Sequence, residues 1–318
     1  MLVMQLLLYR GEDFDSNFYY QSGIDIDHSF FLLQKGKRTL FVSRMNEAAA
    51  RKNFRGSIVV YRDPMETLSS RLKGRTVSVD EFSLSMRMAG RLGKFCKLRE
   101  AGEELRAERV KKEPGEVRNI RKAAEQTREI IDSLDFKKAK TELDVKRQIL
   151  VETARRGLEP AFEPIVATGK NTSFPHHSST GKKLASIVLV DCGVKYKHYC
   201  SDLTRCFILD GDRNKESRYE MLRNIFHEII DELPSLEKGR DVAGYADRLM
   251  KKSGLPEMIH SVGHGLGLEV HERPALSGRS EDNISGCTMA MEPAFYLKSY
   301  GMRFEETIYF DGKKARIL

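Results

Sequence analysis

Residues 190–205 read VDCGVKYKHYCSDLTR, and the apolar run Ile187–Val190 leads into them. β-branched and aromatic residues dominate both halves of this stretch, so we predict two strands joined by a turn. A two-residue turn at Tyr196-Lys197 would place Asp191 directly opposite Asp202, with the two Cβ atoms roughly 4.5–5.5 Å apart. Two bare carboxylates at that distance repel each other. The stretch therefore predicts half of a metal site or, as the plainer alternative, two exposed aspartates at strand ends.

The composition is typical of a soluble globular protein. The chain has 318 residues, of which 40% are hydrophobic and 31% are charged, and this length suggests two domains with buried cores. The net charge of +8 and the pI near 9.1 permit acidic partners such as nucleic acid. Much of the excess lies in a helical segment where acids and bases alternate, which favours a solvated helix face. Nucleic acid is therefore not an expected partner.

The cysteines and the N-terminus indicate a reduced, cytoplasmic protein. The cysteines are Cys96, Cys192, Cys200, Cys206 and Cys287, with no CxxC pair and no regular spacing. An odd, scattered set predicts reduced thiols and cytoplasmic localisation. The apolar stretch Met1–Leu8 lacks the basic flank and the cleavage site of a signal peptide, so we predict a strand there. No run approaches the length of a membrane span, and no membrane association is expected.

The first part of the chain alternates short strands with turns and helices. Phe30–Leu33 and Thr39–Val42 flank a turn-like segment and predict a hairpin. The other predicted elements are a helix at Asn46–Phe54, strands at Ser57–Tyr61 and Thr76–Asp80, and helical structure from Ser83 to Leu134. Pro114 breaks this helical stretch and suits the first turn of a new helix. We place the domain boundary there, with an N-terminal α/β domain at residues 1–112 and a second domain at residues 113–318.

The second domain is predicted to begin with two amphipathic helices. Thr141 followed by Asp144 matches an N-cap with an acid at the third helical position, which predicts a helix over Thr141–Leu158. Two later helices are predicted, at Tyr219–Leu233 and Asp241–Lys252. Residues 115–208 and 217–310 share the order helix, helix, hairpin, which indicates a loose internal repeat.

Three later positions carry groups that could complete a metal site. His264 has a glycine on either side, which leaves an imidazole reachable. Glu292 ends an apolar strand, and Glu305 precedes the final strands. Four carboxylates and one imidazole suit Mn²⁺, Co²⁺ or Zn²⁺ rather than a thiolate site. Because one zinc ion needs fewer ligands than this, we predict two ions roughly 3.5–4 Å apart.

These motifs, in this order, resemble those of the pita-bread metallopeptidases. Asp191 is followed by a second aspartate, then by GHGLGLEVHE from Gly263, a Glu-Pro strand at Glu292 and an Arg-Phe-Glu strand at Arg303. The likeness is greatest to the Xaa-Pro dipeptidase (prolidase) and Xaa-Pro aminopeptidase branch. It covers nearly the whole chain, because Tyr20–Asp25 is similar to that branch's small creatinase-type domain. The resemblance implies an α+β protein with a pita-bread catalytic domain after a smaller N-terminal α/β domain.

The resemblance also implies roles for individual residues. The family's ligands for two divalent ions, with Mn²⁺ or Co²⁺ favoured over Zn²⁺, match Asp191, Asp202, His264, Glu292 and Glu305. Glu292 would also act as a catalytic residue by moving a proton. His176 and His271 match catalytic, substrate-binding histidines at the scissile bond, and Arg303 would orient carboxylates or bind substrate. His177 matches no family role, and we expect it to be structural or solvent-exposed.

The implied activity is hydrolysis of the bond before proline, in Xaa-Pro dipeptides or at the N-terminus of short peptides. Microbial prolidases often have an arginine shortly after the His-Glu-x-Pro segment, but here Arg273 precedes Pro274, which favours an aminopeptidase over a dipeptidase. Ala294 and Glu306 stand where the family usually has Gly and Asp. The alternatives are a methionine aminopeptidase, a creatinase-like amidinohydrolase without metal, and a non-catalytic pita-bread binding module. The family also implies a homodimer.

Overall fold

The computed structural model describes residues 5–318 and divides the chain into two compact units, Met1–Arg109 and Val110–Leu318. Both units combine helices with β-sheet, which confirms the predicted α+β class. The strand predicted at Met1–Leu8 is observed at Leu6–Arg10, and Met1–Met4 lie outside the described residues.

The elements of unit 1 are β1 Leu6–Arg10, α1 Ser16–Ser22, β2 Ser29–Gln34, β3 Lys37–Ser43, α2 Glu47–Asn53, β4 Ser57–Tyr61, α3 Pro64–Leu72, β5 Thr76–Val79, α4 Met86–Leu92, β6 Lys97–Glu100 and α5 Gly102–Glu108. Within the described residues the strands form one mixed sheet in the order β4-β3-β2-β1-β5-β6. The predicted hairpin is confirmed by β2 and β3, where Phe31 pairs with Leu40. The other elements predicted before residue 80 are confirmed by α2, β4 and β5.

The helical stretch predicted from Ser83 to Leu134 is wrong in its middle. Lys97–Glu100 forms strand β6, which pairs in parallel with β5 at the sheet edge. Three of its four residues are charged and exposed, so the segment lacks the alternation of apolar residues that marks a strand in a sequence. Its strand conformation comes from pairing with β5 rather than from its own propensity.

The elements of unit 2 are α6 Pro114–Asp132, α7 Glu142–Arg155, β7 Glu159–Pro160, β8 Ile165–Thr168, β9 Ile187–Cys192, β10 Val194–Tyr196, β11 Tyr199–Cys200, β12 Leu203–Ile208, α8 Arg213–Glu232, α9 Gly239–Lys252, β13 Gly263–Gly265, β14 Glu272–Ala275, β15 Cys287–Met291, β16 Ala294–Tyr296, β17 Gly301–Arg303, β18 Glu306–Phe310 and β19 Ala315–Ile317. Its larger sheets have the orders β12-β9-β8 and β14-β13-β15-β18-β19.

Helix α7 begins where predicted because Thr141 caps it. Thr141 Oγ1 accepts a hydrogen bond from Asp144 N at 3.2 Å, and Asp144 Oδ2 accepts one from Thr141 N at 3.0 Å. This reciprocal arrangement satisfies two amide groups near the start of the helix. Helix α6 begins at Pro114, and α8 and α9 contain the two later helices that the sequence predicts.

A hydrophobic core joins the later helices of unit 2 to its sheets. Phe226 on α8 and Val242 on α9 belong to the same buried cluster as Leu189 on β9, Met289 on β15 and Phe295 on β16. The order α6, α7, β9–β12 recurs as α8, α9, β15–β18, which is the loose repeat that the sequence predicts.

The hairpin at Val190–Arg205 is confirmed, but the predicted turn is displaced by one residue. Tyr196 pairs with Tyr199, so the turn is Lys197-His198, where both residues have positive φ (49° and 68°) as in a type I′ turn. In this register Asp191 lies opposite Thr204 and not opposite Asp202. The predicted pairing is wrong because neither turn residue is Gly or Asn, so the residue types do not mark the turn.

Candidate active site

Two sheets of unit 2 meet where their strands carry acidic residues. Asp191 lies near the end of β9, Asp202 just before β12, and Glu305 just before β18. Glu305 N donates to Thr204 O at 3.2 Å, and Asp202 N donates to Thr307 Oγ1 at 3.0 Å. These two hydrogen bonds join the hairpin to the five-stranded sheet. The contact between the sheets therefore brings Asp202 close to Glu305.

Four carboxylates lie at this junction and are called the carboxylate cluster: Asp191, Asp202, Glu292 and Glu305. Asp191, Asp202 and Glu305 are only 6%, 5% and 2% exposed. Burial raises the pKa of all four carboxyl groups, that of Glu292 to about 7. The other acids raise the pKa of Asp202 and Glu305 further, while Arg303 opposes the shift at each group. Four anions held together here cost free energy that a bound cation would offset.

His264 lies on β13, where two glycines allow neighbouring strands to approach closely. A Cβ atom at Gly263 would lie 2.1 Å from Ala290 O, and one at Gly265 would lie 2.2 Å from Arg273 O. No side chain fits at those distances. The glycines are therefore needed for strand packing, in addition to the access to the imidazole that the sequence suggests.

The His264 ring is neutral and turns its bare nitrogen toward the carboxylate cluster. Nδ1 lies 3.1 Å from Gly265 O, so Nδ1 carries the proton and donates it. Nε2 lies 3.7 Å from Asp202 Oδ2 and 4.0 Å from Glu292 Oε1. Burial and the neighbouring His271 lower the pKa of His264 to about 4. A neutral imidazole with an unprotonated nitrogen is the form that ligates metals.

The geometry and the donor types fit divalent metal ions. One donor atom from each of Asp202, His264 and Glu305 lies within 4.8 Å of the other two. Asp191 Oδ1 and Asp202 Oδ1 are buried and accept no hydrogen bond from any described residue. Because buried carboxylate oxygens usually have donors, these atoms are available to a cation. Carboxylate oxygens with one imidazole nitrogen suit Mn²⁺, Co²⁺ or Zn²⁺.

Arg303 is buried against the carboxylate cluster. Its Nη2 donates to Asp191 Oδ2, its Nε donates to Thr204 Oγ1 at 2.9 Å, and its Nη1 donates to Tyr296 Oη at 3.3 Å. Nη1 also lies 3.9 Å from Glu292 Oε2. The guanidinium thus supplies positive charge to the carboxylates and fixes the orientation of Asp191.

His176 and His271 are both exposed beside the cluster, whereas His177 is not part of the site. The His271 ring centroid lies 4.3 Å from that of His264. Burial and the charge of His176 lower the pKa of His271, and Asp191 opposes them. His177 Nε2 instead lies 2.9 Å from Glu142 Oε2, which confirms the structural role expected for it.

The sequence reasoning missed several residues that support the site. Thr204 Oγ1 donates to Glu305 Oε2 at 2.6 Å while accepting from Arg303. His260 Nε2 lies 3.0 Å from Tyr296 Oη. Thr204 could have been found, because it lies two positions after Asp202 and alternate residues of a strand share a face. His260 and Tyr296 have no comparable signal in the sequence.

Glu306, which follows Glu305, and the cysteines supply no further candidate ligands among the described residues. Glu306 binds Arg128 Nη2 at 3.1 Å and also binds Arg205. All five cysteines are free and buried, and burial raises the pKa of Cys200 and Cys206 to about 12. Thiols of such high pKa are not the thiolates that metals bind.

A family model described as Metallopeptidase family M24 matches residues 118–311, which is more than half of the chain. The chain belongs to metallopeptidase family M24 and is a metal-dependent peptide hydrolase. This confirms the resemblance that the sequence motifs indicate.

Relatives of two named activities and one of unknown activity match the chain. It is 35% identical over 218 residues to an uncharacterized peptidase of Methanocaldococcus jannaschii, covering 64% of this chain and 62% of that protein. It is 26% identical over 318 residues to the Xaa-Pro dipeptidase of Pyrococcus furiosus, covering 95% of this chain and 90% of that protein. The X-Pro aminopeptidase structure from Thermotoga maritima superposes with a TM-score of 0.86 at 24% identity, covering 99% and 93%. This likeness confirms the pita-bread fold with its smaller N-terminal domain.

Between residues 5 and 318 no helix combines the length and the apolar composition needed to cross a bilayer.

Proposed function

We propose that this protein hydrolyses the peptide bond before proline and uses two divalent metal ions. The carboxylate cluster carries the proposal, because it brings together four acids, three of them buried, and leaves two of their oxygens without a donor from the described residues. A neutral imidazole faces the same point. The similarity to an Xaa-Pro dipeptidase along most of both chains supports the substrate class.

The ions would be held by Asp191, Asp202, His264, Glu292 and Glu305. When bound, such ions lower the pKa of a water molecule and polarise the scissile carbonyl. Asp202 and Glu305 are held close together at the junction of the sheets, because Asp202 N donates to Thr307 Oγ1 and Glu305 N donates to Thr204 O. The oxygen-rich donor set favours Mn²⁺ or Co²⁺, with Zn²⁺ as a further candidate.

Glu292 would accept a proton from the attacking water and pass it to the leaving amine. Its side chain lies at the cluster, where its Oε1 is 4.0 Å from His264 Nε2. A carboxylate beside the attacking water can serve as general base and then, once protonated, as general acid. After the water oxygen has bonded to the carbonyl carbon, the bond between that carbon and the proline nitrogen breaks as the nitrogen receives the proton.

His176 and His271 would bind the substrate around the scissile carbonyl. Both are exposed, and His271 packs beside the His264 ring. Donor groups placed at a developing oxyanion stabilise it more than they stabilise the ground-state carbonyl. Arg303 is buried under the cluster, so its contribution would reach the substrate through Asp191.

Within this substrate class we favour cleavage at the N-terminus of peptides longer than two residues. A dipeptidase needs a cation for the C-terminal carboxylate of its substrate. Arg273 is the third residue of the His271–Pro274 segment, and its Nε donates to Asp282 Oδ1 at 2.9 Å. This pairing leaves the guanidinium engaged with a carboxylate of the protein.

The proposal is tested by hydrolysis assays on metal-loaded protein. Xaa-Pro and Xaa-Pro-Xaa peptides are compared after loading with Mn²⁺, Co²⁺ or Zn²⁺, and matched Xaa-Ala peptides are the control for proline specificity. We expect cleavage of proline peptides, faster for the tripeptides. Metal-loaded protein that cleaves none of them would point to the non-catalytic binding module. Cleavage of Xaa-Ala as fast as Xaa-Pro would instead refute the substrate class.

We also propose that the protein is a cytoplasmic homodimer. This proposal comes from the family resemblance and from the scattered cysteines rather than from a contact in unit 1 or unit 2. Sedimentation equilibrium should return twice the mass of the chain, 36.3 kDa. A monomer at micromolar concentration would contradict it.

A further inference from the structure

Glu142, the first residue of α7, is a fully buried carboxylate outside the carboxylate cluster. Its Oε1 accepts hydrogen bonds from Thr168 N at 2.9 Å and Asn171 Nδ2 at 2.8 Å. Its Oε2 accepts from His177 Nε2 at 2.9 Å and from both Thr180 N and Thr180 Oγ1 at 2.8 Å. Five donors therefore converge on one side chain. A carboxylate has about four lone-pair positions, so this one is fully used.

The Glu142 side chain carries a negative charge. Burial by itself raises its pKa, but the hydrogen bonds from His177, Thr180 and Asn171 outweigh burial and lower the pKa below its ordinary value. His177 Nε2 also lies 3.2 Å from Asn171 Nδ2. Because the carboxylate only accepts, both nitrogens donate to Glu142 and not to each other. No neutral side chain could accept from all five groups.

The donors either belong to residues 169–180, called the 169–180 loop, or lie directly before it. The other side of this loop is held by β17, since Gly301 N donates to Thr172 Oγ1 at 2.8 Å. A Cβ atom at Gly301 would lie 2.4 Å from Thr172 O. Strand β17 ends at Arg303, which binds Asp191. The loop is thus fixed between the start of α7 and a strand of the active site.

His176 lies in this loop, directly before His177. His177 is bound to Glu142, whereas His176 is exposed and close enough to the cluster for its charge to act on Asp191 and on His271. The position of the His176 imidazole therefore depends on a backbone that Glu142 holds. An error of about 1 Å in the position of a catalytic group can cost about 10²-fold in rate.

We propose that Glu142 is a positioning residue, whose buried carboxylate orders the 169–180 loop and so holds His176 beside the scissile bond. This inference rests on the proposed peptidase function. It assigns to His177, which the sequence left without a role, the task of linking the loop to Glu142. It adds no chemistry of its own, since Glu142 has no contact with the carboxylate cluster among the described residues.

The test is a double-mutant cycle on the metal-loaded enzyme with Glu142→Gln and His176→Ala. We expect Glu142→Gln to lower kcat/KM about 10- to 100-fold in the wild-type background. In the His176→Ala background, Glu142→Gln should lower kcat/KM less than about threefold, because the imidazole that Glu142 positions is already absent. Glu152→Gln is the matched control, since Glu152 lies on the same helix and forms ion pairs with Arg155 and Arg156 at its C-terminal end.

Hydrogen–deuterium exchange and metal content accompany the kinetics. Amides of the 169–180 loop should exchange faster in Glu142→Gln and unchanged in Glu152→Gln, while all variants should bind as much metal as the wild type. Equal losses of kcat/KM in both backgrounds, unchanged exchange, or lost metal would each overturn the proposal. If Glu142→Gln does not fold, Thr180→Val removes one of the five donors, and its smaller loss should show the same dependence on His176.

The exchange measurement needs no substrate. A wild-type chain that fails to cleave proline peptides would refute the proposed function. Hydrogen–deuterium exchange would then still show whether Glu142 orders the 169–180 loop.

Discussion

Two groups of buried carboxylates in unit 2 have opposite surroundings. Glu142 accepts five hydrogen bonds, and its pKa is lowered. In the carboxylate cluster, Asp191 Oδ1 and Asp202 Oδ1 accept none from the described residues, and all four pKa values are raised. The protein supplies hydrogen-bond donors to both oxygens of Glu142, but it leaves the carboxylate cluster with oxygens that lack donors. Carboxylate oxygens that lack hydrogen-bond donors, rather than burial, thus distinguish the proposed metal site.

The largest expected effect is that of Asp202→Asn, which keeps the shape of the side chain and removes one charge. Because even the partners of metal ligands are worth 10- to 100-fold, loss of this ligand should lower kcat/KM by at least about 10³-fold. Metal content after dialysis against Mn²⁺ should fall as well. In chelator, however, the variant should be at least as stable as wild-type protein, since repulsion within the cluster is relieved.

Thermal unfolding in the presence of a chelator measures this second effect. Wild-type levels of bound metal and activity in Asp202→Asn would remove Asp202 from the site. A large loss of stability in the metal-free variant would contradict the view that the cluster is electrostatically strained.

Whereas Asp202→Asn should leave the metal-free protein at least as stable as wild type, Glu142→Gln is expected to destabilise the protein. The amide can accept at one atom only, so at least two buried donors lose their partner at about 1–3 kcal/mol each. We expect the free energy of unfolding to fall by about 3 kcal/mol in urea denaturation followed by circular dichroism. Glu152→Gln, which removes a partly exposed ion pair with Arg156, should cost less than about 1 kcal/mol. A loss no larger than that of the control would show that the five contacts add little.

Thr204→Val should have an intermediate effect on metal affinity. Thr204 is buried, donates to Glu305 Oε2 and accepts from Arg303 Nε. Valine has the same shape but loses both interactions, so we expect the affinity for Mn²⁺ to fall about 10- to 100-fold. Isothermal titration calorimetry measures it, with Thr153→Val on α7 as a control that removes a buried threonine hydroxyl away from the cluster. Unchanged affinity would mean that Glu305 needs no such support.

The smallest expected effect is a pH dependence of the Glu142 contribution. Since the pKa of Glu142 in the folded state lies below its ordinary value of 4.5, the unfolded state binds more protons between the two values, and stability rises with pH there. The contribution is complete above the unfolded value and is lost as the pH falls through the folded value. The stability gap between wild type and Glu142→Gln should therefore narrow as the pH falls below about 4.5. A gap that stays constant would contradict a charged Glu142.

The sequence predicted elements whose signals are local. Thr141 and Asp144 mark the start of α7 because the cap acts within four residues, and apolar runs mark the strands of the hairpin. Lys97–Glu100 could not be predicted as a strand, because its conformation depends on pairing with β5. The turn at Lys197-His198 was missed for a related reason, since neither residue is of the type that favours positive φ.

For the candidate active site, too, the sequence predicted residues that carry a local signal and missed contacts between distant positions. The proposed ligands could be chosen from residue type, order and flanking glycines, and the structure brings Asp202, His264 and Glu305 together. Thr204 has a partial signal, because it lies two positions after Asp202 and alternate residues of a strand share a face. The partners of the supporting residues could not be predicted, however, since Thr204 and Glu305 are 101 positions apart and Glu142 and Thr180 are 38 apart. The residue type of a threonine or a glutamate does not indicate a partner so distant along the chain.

The sequence by itself determined the fold class, the donor types and therefore the class of metal chemistry, because these follow from local pattern and from side-chain identity. Only the tertiary structure decided the register that places Asp191 opposite Thr204, and which buried carboxylates are satisfied. The physical reason is that the pKa and the partners of a buried carboxylate depend on every donor within about 3 Å, whatever its position along the chain. The contrast between Glu142 and the carboxylate cluster therefore exists only in the folded protein.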